Sequence, residues 1–63
     1  MRTVQGVVKM EIGEVFATVI WDGDVAYVEE TLIKGHPVEL DHYAIRDGDG
    51  WLPVHEYIID QLG

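Results

Sequence analysis

A chain of 63 residues with no cysteine and a formal charge of −8 has room for one small domain, and it excludes disulfides, thiolate metal sites and thiol nucleophiles. With 12 acidic residues against only Arg2, Lys9, Lys34 and Arg46, direct binding to a nucleic-acid backbone is disfavoured. The 48% of hydrophobic residues can build a core but form neither a membrane-length run nor an export leader, so a cytoplasmic domain without membrane attachment is expected.

In residues 4–12, Val4, Val8, Met10 and Ile12 alternate with Gln5, Val7, Lys9 and Glu11, the period-2 pattern of a strand with one buried face. Gly6 reads as a bulge position, and Gly13 with Glu14 as a two-residue reversal. Residues 15–21 are β-branched and aromatic with little polarity, which suits a central strand. Asp22 and Gly23 then read as a hairpin turn, and residues 25–33 as the third strand of a meander. Gly35 and Pro37 interrupt the pattern, because Pro37 lacks an N–H and restricts the residue before it.

Residues 38–45 alternate again and read as a fourth, edge strand, followed by a turn at Asp47, Gly48, Asp49 and Gly50. After Pro53, which suits a first helical turn, Val54, Ile58 and Leu62 recur at helical spacing, with Gly63 where a C-terminal cap belongs. The expected fold is α+β: a three- to four-stranded antiparallel sheet in residues 1–63 with one C-terminal helix packed on a face. Apolar residues fall on both sides of residues 15–21, so the face without the helix is expected to meet a partner or a second copy.

Chemical motifs fail on spacing. A calcium loop starting at Asp47 meets Trp51, and one starting at Asp22 meets Ala26, where the third oxygen ligand belongs. His55 and Glu56 open like a zinc-protease helix, but Ile59 stands in place of the second histidine. His36, Asp41, His42 and His55 have the chemistry of zinc ligands but fit loop, edge and helix-surface positions equally well. The chain has no serine, and Glu29 and Glu30 point to opposite faces of a regular strand. No enzyme activity, metal or cofactor is expected.

The strand, acidic glycine turn and short helix of residues 38–62, with Val54, Tyr57, Ile58, Ile59 and Leu62 on the helix, resemble small acidic proteins of bacteriophage and prophage genomes. The resemblance covers about two-fifths of the chain and transfers no site residue. Through size and charge it implies a mobile-element inhibitor that binds a host nucleic-acid-binding protein. The residues expected to form the contact are Asp22, Asp24, Glu29 and Glu30, presenting carboxylates to a basic protein partner. The alternative is an assembly subunit that self-associates, as a homodimer for instance, through its β-sheet.

Overall fold

The computed structural model describes every residue from Met1 to Gly63. Strand β1 (Arg2–Met10) pairs antiparallel with β2 (Gly13–Asp22), and β2 pairs antiparallel with β3 (Val25–Ile33). The two-residue β4 (His36–Pro37) lies beside β3, giving the order β1-β2-β3-β4. A separate hairpin of β5 (Ala44–Asp47) and β6 (Gly50–Pro53) leads into α1 (Val54–Leu62). The fold is therefore α+β, with the helix packed against the sheet. At nine residues α1 is not long and apolar enough to cross a membrane.

Alternation decides which face the helix covers. Val4 opposite Val19, Gly6 opposite Ala17 and Val8 opposite Val15 lie on one face, joined from β3 by Val28, Thr31 and Ile33. Val8, Val15, Ala17 and Val19 are buried there against Val54 and Ile58 of α1 and Leu40 of the β4–β5 connection. Each valine, leucine or isoleucine among them, fully buried, contributes about 1.5–3 kcal/mol. The opposite face carries the cross-strand row Val7, Phe16, Leu32 and Pro37, with Val7 and Phe16 exposed. The apolar burial of β2 is thus on the helix side, while on the other face Thr18 is covered by its strand neighbours and Phe16 is left exposed.

The helix termini follow the local sequence. Pro53 is the residue before the first helical turn rather than part of it, and Gly63 closes the other end by donating its N–H to the Ile59 carbonyl at 2.7 Å.

Several boundaries differ from the sequence reading. The first reversal is at Glu11 and Ile12, which removes Ile12 from β1; Gly13, with φ of 128°, opens β2 in a conformation that side-chain-bearing residues avoid. The second reversal is at Gly23 and Asp24, one residue later than expected, because Gly23, at φ 65°, takes the first loop position, where a hairpin of this kind requires positive φ.

Gly6 is not a bulge, since the register of β1 on β2 is unbroken. It is instead the floor beneath α1, where an added Cβ would stand 2.7 Å from the Leu62 Cδ2. Residues 38–45 do not form the fourth strand. Pairing ends at Pro37, Leu40 turns into the core, and a turn at Asp41 and His42 is closed by the Tyr43 N–H donating to the Leu40 carbonyl at 3.0 Å.

Candidate functional site: an acidic groove beside β3

A β-bulge places the first two acids of the groove. Thr18 pairs with Glu30 while Val19 pairs with Val28, which leaves Glu29 as the extra residue of β3. Glu29 is displaced from the regular alternation, Glu30 stays opposite Thr18 on the face away from the helix, and both are exposed. The next residue, Thr31, is buried on the helix side. Its Oγ1 donates to the Val38 carbonyl at 2.7 Å, and the Val38 N–H donates to the Thr31 carbonyl at 3.0 Å.

These two bonds hold the connection after Pro37 alongside the bulge. They bring Glu39 and Asp41 to the groove that Glu29 and Glu30 line, a hollow of about 450 Å³. His55, on the first turn of α1, closes its end with Nε2 at 3.3 Å from the Asp41 Oδ1. Four acidic residues line the groove, with no lysine or arginine among its lining residues.

Of the four acids singled out in the sequence, only Glu29 and Glu30 belong to this groove. Asp24 is roughly 16 Å away along β3 at ordinary strand rise, in a second hollow of about 570 Å³ with Glu56 and Asp60 of α1. Asp22 is paired with Val25 at the hairpin end, on the face away from the helix. Glu39 and Asp41 were missed because residues 38–45 read as a regular edge strand rather than as a connection that turns at Asp41 and His42.

The basic residues are placed elsewhere. Arg2 and Lys9 stand on β1, Arg2 with its guanidinium 5.6 Å from the Trp21 ring. Arg46 stacks at the same distance on Trp51 at the β5–β6 hairpin. Lys34 sits in the β3–β4 turn with φ of 53°.

A wider hollow of about 670 Å³ lies between the β1–β2 turn and β5, lined by Met10, Ile12, Ile45 and Tyr57. Its charged lining, Lys9, Glu11 and Arg46, has mixed sign, so it offers no single ligand chemistry. The residues with zinc-ligand chemistry are dispersed: His36 is in β4, the His42 side chain projects into solvent near Glu39, and only Asp41 and His55 meet. No three histidine or acidic side chains converge on a point.

The groove's chemistry is that of an acceptor surface. Exposed carboxylates attract guanidinium and ammonium groups over a long range, while each single pair adds only about 0–1 kcal/mol. Its shape depends on Thr31. Thr31→Val keeps the side-chain volume but leaves the Val38 carbonyl without its donor, which should cost about 1–3 kcal/mol. Urea unfolding should report that loss, and amide exchange at residues 38–41 should accelerate more than exchange in β1. Comparison with protein-family models, with curated proteins and with solved structures gives no match to this chain.

Proposed function

We propose that this domain is a non-enzymatic protein-binding module whose acidic side engages a cationic segment of a partner protein. The observation that carries this reading is the grouping of Glu29, Glu30, Glu39 and Asp41 around one groove free of lysine and arginine, in a fold that sets Arg2 and Lys9 on the far edge strand. Acids serving solubility alone would be interspersed with cations. A partner surface that accepts carboxylates in this way is one that otherwise contacts phosphates, which fits an inhibitor of a nucleic-acid-binding protein, as carried by a phage or mobile element.

Encounter would be driven by the field of the groove, with rim charges acting chiefly on the association rate. The test uses a short oligoarginine peptide as probe and measures its association rate across ionic strength. The rate should fall steeply with salt, because exposed charges are screened over about 10 Å at 0.1 M. Glu29→Gln with Glu30→Gln should slow association and flatten the salt slope, whereas Asp22→Asn should change neither. Equal effects at the two places would remove the groove from this reading.

A further inference from the structure

The two edges of the sheet are built differently. On one side the sheet stops at β4, two residues long and ending in Pro37, which has no N–H to offer. On the other side β1 runs for nine residues with no proline and no bulge, and its only strand neighbour is β2. The four backbone hydrogen bonds made outside helices and strands all lie beyond residue 30, so none serves the outer side of β1. A long, regular edge of this kind is a template for another strand.

Charge selects the occupant. Residues 1–10 hold no acid, and β1 carries Arg2 and Lys9, two of the four cations of the chain. Two copies of a chain with charge −8 repel each other, and they repel least where their acid-free strands meet and their acidic grooves lie furthest apart.

We infer that β1 is a self-association edge, on which two copies of this chain pair antiparallel about a two-fold axis at Gly6 to form one continuous sheet. In this register all nine residues of β1 are paired and the faces stay in phase, since a shift by one residue would turn every side chain over. Val4 stands opposite the second copy's Val8 on the helix side. Thr3 stands opposite the second copy's Lys9 on the other side, and Val7, now 56% exposed, gains a neighbour in the second copy's Gln5. Such an interface is isologous and closed, so it yields a dimer rather than a fibre. This inference is independent of the groove's role: the grooves would remain free at the two ends of the joined sheet.

Sedimentation equilibrium of the 63-residue chain tests it. A monomer–dimer equilibrium is expected, with the amides at alternate positions of β1 exchanging more slowly as concentration rises. Thr3 is exposed, so its variants leave the monomer fold intact, and its place opposite Lys9 occurs twice per dimer. Thr3→Glu should tighten the dimer by roughly threefold to tenfold and Thr3→Lys should weaken it by a similar factor. The added negative charge of Thr3→Glu would otherwise oppose association. Monomer at every concentration up to the millimolar range would overturn the inference. So would a dimer indifferent to both Thr3 variants but dissociated by Phe16→Asp, because the exposed sheet face would then be the interface.

Discussion

Replacing Ile58 by alanine should leave the domain marginally folded or unfolded at room temperature. Ile58 is fully buried at the centre of the contact between α1 and the sheet, in a core of only seven buried hydrophobic residues. Truncating a buried isoleucine costs about 2–5 kcal/mol, through lost transfer energy and the cavity left behind. A domain of this length has roughly 3–9 kcal/mol in total. The thermal midpoint should fall by at least about 10 °C. Ile59, the next residue, is only half-buried, so Ile59→Ala should cost clearly less. Far-ultraviolet circular dichroism through a thermal scan separates the two; equal losses would mean that α1 does not present Ile58 to the sheet.

The second large effect is expected at Gly13. Its φ of 128° lies where side-chain-bearing residues are strained, and it is the hinge from which β2 returns along β1, opposite Met10. A Cβ there would meet only the Ile33 Cγ2, at an ordinary 3.9 Å, so the penalty is backbone strain and not a clash. Gly13→Val should cost about 1–3 kcal/mol, with the β-branched side chain toward the upper end. Gly50→Ala is the control for a glycine without left-handed backbone, because Gly50 has no positive φ and an added Cβ would sit 3.9 Å from the Asp47 carbonyl oxygen. Urea midpoints should fall for Gly13→Val and stay nearly unchanged for Gly50→Ala.

What could be read in the sequence was the local part. Val4, Val8 and Met10 share a face as their alternation implies, residues 25–33 form β3, and Val54, Ile58 and Leu62 turn toward the sheet at helical spacing. Where two local patterns compete, tertiary contacts decide. Val38, Leu40 and Ala44 mimic a strand face, yet Pro37 cannot extend the ladder and burying Leu40 outweighs continued pairing. The β5–β6 hairpin went unread because its strands are four residues each, and the pairing of Ile45 with Leu52 has too short a pattern to show periodicity.

The groove was least legible of all. No residue type announces that Glu29 will be the extra residue, since the bulge is a matter of hydrogen-bond register between β2 and β3. Thr31 and Val38 are seven positions apart, and the Thr31 side chain is what draws Glu39 and Asp41 back to the bulge. Asp22 and Asp24 were visible as turn residues, but the hairpin end holds them away from Glu29 and Glu30.

The grouping of carboxylates, rather than their number, is the central functional claim, and a comparison at equal net charge tests it. One variant carries Glu29→Gln, Glu30→Gln, Glu39→Gln and Asp41→Asn; the other carries Glu11→Gln, Glu14→Gln, Asp47→Asn and Asp49→Asn, all exposed positions outside the groove. Both lose four negative charges, so any response to overall charge is shared. Titration of a fluorescent oligoarginine peptide at fixed low salt gives the dissociation constant of each. The groove variant should bind at least about tenfold more weakly than the unmodified chain, given a few tenths to one kcal/mol per exposed ion pair, while the second variant should lose much less. Equal weakening in the two variants would show that net charge alone attracts the peptide, contradicting a built site beside β3.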